Sequence, residues 1–477
     1  MATERKFYCA GEWRSSSHTV TIRNPYSRDI VGTTSLASHD DLDDAISAAE
    51  RAFQETRRLQ SYERAAILDR MADGLAARQE EFSRLMVQES AKPIRDARVE
   101  VARGVFTLKT AAEEAKRITG EVIPLDLMAS SSGRFGITRR FPIGPVSGIS
   151  PFNYPLNLAL HKLAPAIAAG NTIVLKPPSY DPLTMLAFGE IIDQAGLPRG
   201  AVSIMPMDRE VGDRLVTDSR FKLLSFTGSP VVGWDMKERA GKKKVVLELG
   251  GNAGVVVDRG ANIPLAVSRV RVGAFAYAGQ VCISVQRVYV HRSVLDEFND
   301  RLVAEVEAMK LGDPLDDATD LGPMIDEKAA RRSEDWVATA VSEGARVLTG
   351  GKAKGNFFQP TVLVDARRES FVCSREAFAP LVNVFPFDEY EEALAEINDS
   401  VFGLQAGIFT QSLEHALRAF ETLEVGGVVV NDIPTYRIDH MPYGGVKDSG
   451  LSREGLRYAI EDMTEPRLMV FNRVPDA

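Results

Sequence analysis

The stretch NTIVLKPPSYDPLTMLAFGEIIDQAGLPRGAVSIMP, residues 171–206, decides the fold class. Two short apolar runs, NTIVLKP and AVSIMP, flank the segment LTMLAFGEIIDQAG, in which apolar residues recur at helical spacing. A strand, a helix and a second strand in this order indicate a βαβ unit with parallel strands. We therefore predict an α/β protein.

The same alternation extends to both sides of this unit. Further strand candidates between residues 136 and 260 are GITRRFPIGPVSGIS, LLSFTG, KVVLELGG and AGVVVD. A second series, over 260–446, contains VQRVYVHRSV, ARVLTGG, TVLVDA, AGIFT and GGVVVND, with helices predicted over 294–309 and 327–344. Before both, residues 39–117 predict three helices, of which the second covers 63–90 and the third lies around Val99–Ile118. Two α/β blocks indicate a ligand-binding cleft at the carboxyl ends of their strands.

Length and composition exclude several classes of protein. A chain of 477 residues with 44% hydrophobic and 26% charged residues predicts two or three packed domains. The net charge of −9 and a pI near 5.4 argue against nucleic-acid and membrane partners. Three cysteines, Cys9, Cys282 and Cys373, provide neither a disulfide framework nor a metal-site spacing. The N-terminus lacks the apolar core of a signal peptide, so we expect a cytoplasmic protein.

One cysteine lies in a setting that suggests chemistry. In AYAGQVCISVQRVYV, residues 276–290, Cys282 precedes a strand candidate and follows Gly279-Gln280, where the backbone can approach a ligand closely. Most buried cysteines simply fill a core. A nucleophile would need an oxyanion donor and a general base from elsewhere in the chain.

Several strand ends offer such groups, each with a purely structural alternative. Thr227-Gly228-Ser229 and Gly233 form a strand-to-helix turn that suits a phosphate but is equally a tight turn. Lys176 is either a ribose or phosphate contact or part of a surface loop.

Two further residues have the chemistry of an acyl-transfer site. Glu248, flanked by leucines, is either a general base or a carboxylate bound by backbone N–H groups of the following glycine turn. Asn153, between two prolines, is either an oxyanion donor or a turn residue.

Together these segments closely resemble the aldehyde dehydrogenase superfamily over nearly the whole chain. The matching motifs, in order, are PIGPVSGISPFNYPL, NTIVLKPPS, SFTGSPVVG, LELGGN, GQVCIS, GDPLDDATDLGPMI, REAFAP and PYGGVKDSGLSREG. The resemblance implies two Rossmann-like α/β domains and a small β flap: a cofactor domain over 1–120 and 143–248, a catalytic domain over 249–446, and a flap over 121–142 and 459–477. The flap usually joins subunits, so a homodimer or homotetramer is expected.

The resemblance also implies roles for individual residues. Cys282 is the nucleophile, Asn153 and the backbone N–H of Cys282 hold the oxyanion, Glu248 is the general base, and Lys162 assists near Glu248. The implied NAD(P) contacts are Ser150, Pro151, Phe152, Lys176, Ser179, Thr227, Gly228, Ser229, Gly233, Leu249, Glu376 and Phe378. The aldehyde would form a thiohemiacetal on Cys282 and, after hydride loss, a thioester that Glu248-activated water hydrolyses. No metal is expected.

One departure from the family pattern concerns the cofactor. Many NAD-preferring members have a glutamate three residues after the lysine that corresponds to Lys176, where it binds the adenosine ribose; this chain has Ser179. Because a neutral residue would not repel a 2′-phosphate, we predict that NADP is accepted, alone or alongside NAD.

The family's tunnel-lining positions suggest the substrate. They carry Arg103, Tyr154, His161 and Arg437, and two arginines favour a small anionic aldehyde. We predict a phosphonoacetaldehyde, sulfolactaldehyde or semialdehyde type of substrate. Val281, where relatives acting on phosphorylated triose have an arginine, disfavours glyceraldehyde 3-phosphate. Lactaldehyde-like hydroxyaldehydes are the alternative, and a catalytically silent NAD(P)-binding protein is the alternative of another class.

Overall fold

The computed structural model describes residues 3–473. The N-terminal segment contains five short strands and four helices: β1 (Thr3–Arg5), β2 (Phe7–Cys9), β3 (Glu12–Arg14), β4 (Thr19–Arg23), β5 (Ile30–Ser35), α1 (His39–Thr56), α2 (Ser61–Ala77), α3 (Gln79–Ser90) and α4 (Ile94–Ala115). The single helix predicted over 63–90 is therefore two helices, because Arg78 leaves the helical conformation at φ −114°. The third helix begins earlier than predicted, directly after Pro93.

The next segment alternates strands and helices as the sequence predicts. Its elements are β6 (Val122–Pro124), β7 (Arg134–Pro142), β8 (Pro145–Ile149), α5 (Asn157–Ala169), β9 (Thr172–Lys176), α6 (Leu183–Gln194), β10 (Val202–Ile204), α7 (Arg209–Thr217), β11 (Leu223–Thr227), α8 (Pro230–Arg239) and β12 (Lys244–Glu248).

The second series follows, with a short closing segment. Its first part comprises β13 (Ala253–Val257), α9 (Ile263–Phe275), β14 (Val285–His291), α10 (Leu295–Glu307), α11 (Glu327–Ser342), β15 (Arg346–Thr349), β16 (Ala353–Lys354), β17 (Phe357–Phe358), β18 (Thr361–Val364) and α12 (Phe371–Ser374). Its second part comprises β19 (Leu381–Phe387), α13 (Tyr390–Asn398), β20 (Phe402–Gly403), β21 (Gln405–Phe409), α14 (Leu413–Thr422) and β22 (Gly427–Val430). The chain closes with β23 (Val446–Lys447), β24 (Gly450–Leu451), α15 (Leu456–Asp462) and β25 (Thr464–Asn472).

Two large sheets form the body of the molecule. The first has eight strands in the order β24-β12-β11-β8-β9-β10-β2-β3, and its central strands β12 to β10 are parallel. The second has seven strands in the order β15-β18-β19-β14-β13-β21-β22. In the first sheet, Thr227 lies beside Glu248 and Ile149 beside Lys176, so four candidate segments end at one edge.

A separate three-stranded antiparallel sheet projects from the body. Its strands are ordered β25-β7-β6, and β25 pairs with β7 from Thr464↔Pro142 to Asn472↔Arg134. Leu468, Met469 and Val470 on β25 are each at least half exposed. This sheet corresponds to the predicted flap, whose last residues, 474–477, lie outside the described part of the chain. The domain boundaries and the joining of subunits stay predictions.

Membrane insertion can be tested directly on the helices. Among residues 3–473, no helix is both long and apolar enough to cross a bilayer. The cytoplasmic location stays a prediction.

Candidate active site

The loop that carries Cys282 is shaped by an unusual backbone. A 3₁₀ turn over Ala276–Gly279 links α9 to β14, and Tyr277, Ala278 and Gly279 have φ values of 47°, 52° and 68°. A Cβ on Gly279 would clash with the carbonyl oxygen of Ala379. Gly279 therefore lets the turn pack against the protein's own chain at Ala379, and the expected approach of this backbone to a ligand stays a prediction.

Cys282 itself is half-buried and contacts a tyrosine. Its Sγ lies 3.0 Å from Tyr443 Oη. Burial raises the pKa of the Cys282 thiol to about 11, and the Tyr443 contact acts in the opposite direction. The thiol is thus protonated at neutral pH, and Tyr443 is a partner for it that the sequence reasoning did not single out, although it lies in the quoted motif PYGG.

Asn153 is fixed beside this loop. Its Nδ2 donates to the carbonyl oxygen of Gln280 at 3.0 Å, and its buried Oδ1 has no partner among the described residues. An amide nitrogen carries two protons, so one N–H stays available after this bond. The arrangement brings the predicted oxyanion donor and the cysteine loop together.

A buried ion pair holds the turn that carries Asn153. Lys92 Nζ donates to the main-chain oxygen of Asn153 at 2.6 Å and pairs with Glu100, and both side chains are fully buried. Glu100 in turn accepts from the backbone N–H groups of Leu156 and Asn157 at 3.0 and 3.1 Å. The sequence analysis did not identify this pair, because nothing in the local pattern relates residues 92 and 100 to residue 153.

Glu248 ends β12 and is buried without a partner. Neither carboxyl oxygen makes a hydrogen bond within residues 3–473, so the predicted alternative of a carboxylate bound by the glycine turn does not hold. Burial, followed by the nearby Glu454 carboxylate, raises the pKa of Glu248 well above its usual value. A Cβ on Gly444 would lie 2.8 Å from Glu248 Oε1, so this glycine leaves room for the carboxyl group.

Lys162 lies on α5, next to the carboxyl ends of β11 and β12. Its Nζ donates to Thr227 Oγ1 at 2.6 Å and lies 3.5 Å from Glu454 Oε1. Burial lowers the pKa of Lys162, and Glu454 opposes this effect. Burial also opposes ionisation of Glu454, yet Lys162, His161 and other cations lower its pKa to about 2. Glu454, another residue that the sequence analysis missed, is thus the permanent anion of this cluster.

These groups open onto one cavity of about 330 Å³. The predicted catalytic residues Cys282, Glu248 and Asn153 line it, whereas Lys162 lies behind the wall. The predicted cofactor residues that line it are Pro151, Phe152, Thr227, Gly228, Ser229, Leu249, Glu376 and Phe378. Leu158, Gly250 and Arg332 complete the lining and were not predicted. Predicted nucleophile, base and cofactor residues therefore share one space.

The cavity wall fits a dinucleotide. Ser229 is the N-cap of α8 but its side chain makes no capping hydrogen bond, which leaves the helix N-terminus open to a phosphate. Glu376 accepts a hydrogen bond from the N–H of Gly251 at 3.1 Å, and burial raises its pKa to about 7. Its carboxyl group fills the space that a Cβ on Gly250 would need.

The other predicted cofactor residues lie around this wall. Lys176 Nζ lies 3.3 Å from Ser179 Oγ at the carboxyl end of β9, and the N–H of Ser150 donates to the Lys176 carbonyl at 3.2 Å. Phe378 contacts Phe152 edge to face, with ring centroids 5.9 Å apart. Gly233 is buried inside α8, where a Cβ would lie 2.5 Å from the Leu249 side chain. Their roles toward a cofactor stay predictions.

The four predicted substrate residues lie outside the lining of this cavity but next to it. Arg103 binds both oxygens of Asp439, at 3.1 and 2.6 Å. His161 Nε2 lies 2.9 Å from Asp439 Oδ1. Tyr154 packs with Cys282 in one apolar cluster. The sequence gave no sign of Asp439 as the shared partner, since the pairing spans more than 270 residues.

Arg437 approaches the nucleophile through a tyrosine. Its guanidinium lies 3.8 Å from the ring centre of Tyr443 and 2.8 Å from Glu454 Oε2. Burial works against its charge, but Glu454 and neighbouring groups keep the pKa of Arg437 raised. The buried Nε of Arg437 has no partner within residues 3–473. One strong hydrogen-bond donor therefore stays unused beside the site.

The model of the aldehyde dehydrogenase family matches residues 13–469 of the chain. The chain belongs to the aldehyde dehydrogenase family. This aldehyde dehydrogenase is 44% identical to the 3-sulfolactaldehyde dehydrogenase of Priestia megaterium over 466 residues, which cover 98% of this chain and 97% of that protein. The family match confirms the predicted family and an NAD(P)-dependent aldehyde oxidoreductase.

Solved structures agree with the fold. The crystal structure of aldehyde dehydrogenase 21 from Physcomitrella patens, in complex with the reaction product succinate, matches with a TM-score of 0.98 at 46% identity and covers 100% of both chains. The glyceraldehyde-3-phosphate dehydrogenase GapN from Methanocaldococcus jannaschii, complexed with NADP, matches with a TM-score of 0.92 at 38% identity and covers 96% of this chain and 100% of that one. The predicted aldehyde dehydrogenase fold is thereby confirmed.

Proposed function

We propose that this aldehyde dehydrogenase oxidises a short aldehyde with an anionic group, of the sulfolactaldehyde, phosphonoacetaldehyde or semialdehyde type, to the carboxylic acid. The observation that carries the proposal is the position of Arg437: its guanidinium stacks on Tyr443, whose hydroxyl contacts Cys282 Sγ, and its Nε has no partner within residues 3–473. The positive charge of this guanidinium would attract an anionic group on a substrate bound to Cys282.

In the first half of the reaction, Cys282 attacks the aldehyde carbon and forms a thiohemiacetal. The free N–H of the Asn153 amide and the backbone N–H of Cys282 would hold the oxyanion, and each such donor commonly contributes about 3 kcal/mol. When bound, the oxidised nicotinamide supplies the acceptor for the hydride that leaves the aldehyde carbon. The thiohemiacetal thereby becomes a thioester on Cys282.

In the second half, Glu248 takes a proton from water, which hydrolyses the thioester and frees the thiol. Glu248 lies at the cavity wall, and neither of its carboxyl oxygens makes a hydrogen bond within residues 3–473. Both oxygens are therefore available to bind a water molecule. Because the pKa of Glu248 is raised, the carboxyl group accepts a proton more readily than an exposed glutamate does. Burial and the Glu454 carboxylate raise this pKa, whereas Arg437 and Lys162 lower it.

For the cofactor, the open N-terminus of α8 at Ser229 would bind the pyrophosphate and Glu376 a ribose. Lys176 and Ser179 would lie at the adenosine end, where no carboxylate repels a 2′-phosphate. NADP is therefore a suitable cofactor, as it is in the structure of the GapN relative.

The charge around the substrate residues supports an anion. Lys162, Arg103 and Arg437 are three cations facing two carboxylates, Asp439 and Glu454. The relatives agree in substrate chemistry, since one is named for a sulfonated aldehyde and another holds succinate as its product. We propose that Arg103 and Arg437 bind the distal anion, and that subunits pair through the β25 sheet into a homodimer or homotetramer.

Initial rates of NAD and NADP reduction test the function across sulfolactaldehyde, phosphonoacetaldehyde, succinic semialdehyde, lactaldehyde and propanal. We expect anionic aldehydes to exceed propanal by at least about tenfold in kcat/KM, which is about 1.4 kcal/mol. Arg103→Gln and Arg437→Gln should raise KM for the anionic substrates and leave KM for propanal unchanged. Arg95→Gln, on the same helix as Arg103 but paired with Asp320, is the control.

Three results would contradict parts of the proposal. Preference for lactaldehyde would support the hydroxyaldehyde alternative, and preference for propanal would leave the arginines with a structural role only. Turnover by Cys282→Ala would overturn the mechanism, and absence of turnover with every aldehyde in wild type would favour a silent NAD(P)-binding protein.

A further inference from the structure

A second cavity, remote from Cys282, is lined by positively charged side chains and by no negatively charged ones. Its volume is about 320 Å³, and six cationic side chains line it: Arg57, Arg58, Arg64, Lys116, Arg139 and Arg140. No aspartate or glutamate belongs to its lining. We call it the basic cavity. In a chain whose net charge is −9, six cations around one small space require an explanation.

The cations come from several elements that meet at the base of the flap. Arg57 and Arg58 follow α1, Arg64 lies on α2, Lys116 follows α4, and Arg139 and Arg140 belong to β7. Because these segments are fixed by the fold, the positive charges converge through tertiary structure rather than through one basic stretch of sequence.

Carboxylates do not neutralise these side chains. None of the six cationic groups lies within 4.0 Å of a carboxylate of the described residues, although 41 such pairs form elsewhere in that part of the chain. Arg117, directly after Lys116 but outside the cavity, shows the contrast: it pairs with Glu113 at 2.9 Å and Glu114 at 3.0 Å. The acids of α4 therefore face away from the basic cavity.

The contacts that the cations do make are with neutral groups. Arg140 Nη1 donates to the Glu461 carbonyl at 3.1 Å and to Thr464 Oγ1 at 3.0 Å. Arg64 Nη1 donates to the Leu59 carbonyl at 2.9 Å, whereas its buried Nε has no partner among residues 3–473. Burial lowers the pKa of Arg64, and the Glu63 carboxylate, which forms no ion pair with it, only partly opposes this effect.

Helix termini compensate only a small part of this charge. The C-termini of α1, α4 and α5 border the cavity and each supplies roughly half a negative charge, while the N-terminus of α2 supplies roughly half a positive one. The carboxylate in the first turn of α2, Glu63, binds the N–H of Gln60 instead. The helix termini therefore offset roughly one of the six positive charges.

We propose that the basic cavity is a binding site for a small polyanion of the phosphate type, such as a diphosphate group. Guanidinium groups bind phosphate oxygens through paired N–H donors, and five of the six cations are arginines. A cavity of this volume is at the lower end of the range for small-molecule sites, which suits a metabolite rather than a protein segment. The site is separate from the NAD(P) wall.

A bound polyanion would join α1, α2, α4 and β7. Helix α4 also carries Glu100, which holds the Asn153 turn, and β7 is the central strand of the flap. The ligand would therefore act as an effector that stabilises the flap against the cofactor domain, without contact to the aldehyde.

Calorimetric titration of the full chain with inorganic pyrophosphate tests this site. Saturating NADP is included, because pyrophosphate would otherwise bind near Ser229 as well, and ionic strength is held constant with sodium chloride. We expect one binding event per chain and a rise in melting temperature. The double variant Arg58→Ser/Arg139→Ser removes two exposed cations of the basic cavity and should weaken binding at least about tenfold.

The matched control is Arg117→Ser/Arg457→Ser, which also removes two exposed positive charges close by, each paired with a glutamate. It should leave pyrophosphate binding unchanged. Equal weakening of pyrophosphate binding by both double variants would show a diffuse effect of the surface charge and would overturn the site. The site would also be overturned if wild type bound no pyrophosphate in the presence of saturating NADP. A change of oligomeric state in Arg58→Ser/Arg139→Ser without pyrophosphate binding to wild type would instead make this face a contact between copies.

Discussion

Cys282 depends on groups from residues 153, 248 and 443, which lie far apart in the chain. Burial raises the pKa of its thiol to about 11 and also raises the pKa of Glu248 well above its usual value, so each group keeps its proton to a higher pH than an exposed side chain would. The reaction needs the thiolate and then the carboxylate. Activity is therefore expected to rise with pH, since each group becomes competent only after it loses its proton.

Glu248→Gln separates these two ionisations. The amide cannot take a proton from water, so the first turnover should produce a burst of reduced nicotinamide while steady-state turnover falls by about 10²-fold or more. In this variant, the rise of the burst rate with pH should reflect the ionisation of the Cys282 thiol alone. Pre-steady-state absorbance across the alkaline range provides the measurement. An unchanged steady-state pH profile in Glu248→Gln would exclude Glu248 as the base.

Lys92 should influence the rate through Asn153. Because Lys92 Nζ binds the main-chain oxygen of Asn153, Lys92→Met should loosen the turn and reduce kcat by about tenfold, with little change in KM. In an Asn153→Ala background the same substitution should have almost no further effect. Wild type, Lys92→Met, Asn153→Ala and the double variant form a double-mutant cycle. Their initial rates provide the coupling energy between Lys92 and Asn153.

Glu89→Gln is the matched control for that cycle. Glu89 is equally buried but caps the first turn of α6 and makes no contact with Asn153. It should reduce stability without coupling to Asn153. A loss of activity in Lys92→Met that persists in full in the Asn153→Ala background would show that Lys92 acts by another route.

Single residues also show where sequence reasoning reaches its limit. Asn153, Glu248 and Cys282 lie in local motifs, so the sequence placed them as candidates before any contact was visible, and the structure brings all three to one cavity. Lys92 and Glu454 follow no local pattern. Their importance arises from ion pairs with residues that are distant in the chain, and such pairs cannot be read from spacing.

At the scale of elements, the 3₁₀ turn before Cys282 has the strictest requirement. Gly279→Ala would place a Cβ against the Ala379 carbonyl at φ +68°, so we expect a destabilisation of about 1–3 kcal/mol and a large loss of activity. Gly260→Ala is the control, because a Cβ there meets nothing within 4 Å. Thermal unfolding and initial rates check both. A Gly279→Ala protein with normal activity would show that the turn adapts.

Helices and strands with a regular spacing of apolar residues were the easiest elements to predict. The helix α6 and the strands β9 and β10 follow from alternation and length alone, whereas β1 to β5 have three to six residues each and gave no signal. The predicted helix over 63–90 fails at Arg78 because its apolar period continues across the break between α2 and α3. Periodicity reports which face is buried, and it does not report where the hydrogen-bond ladder stops.

For the whole molecule, the flap predicts how copies associate. The strand β25 is an edge strand, and Val470 on it is 50% exposed. Unpaired edges with exposed apolar residues favour association. Val470→Asp should therefore shift the protein toward smaller species in light scattering after size exclusion. Val231→Asp, at a more exposed valine on α8, is the control. A wild-type monomer would exclude the predicted homodimer or homotetramer.

The first sheet joins strands that lie far apart in the chain. Strand β2 at residues 7–9 and strand β24 at residues 450–451 belong to the same eight-stranded sheet, and Gly450 pairs directly with Glu248. During synthesis from the N-terminus, the edge of the sheet next to Glu248 stays open until residues 450–451 have left the ribosome. Because this pairing joins residues about 200 positions apart, we expect the sheet to close late in folding, and its open edge would favour aggregation until then.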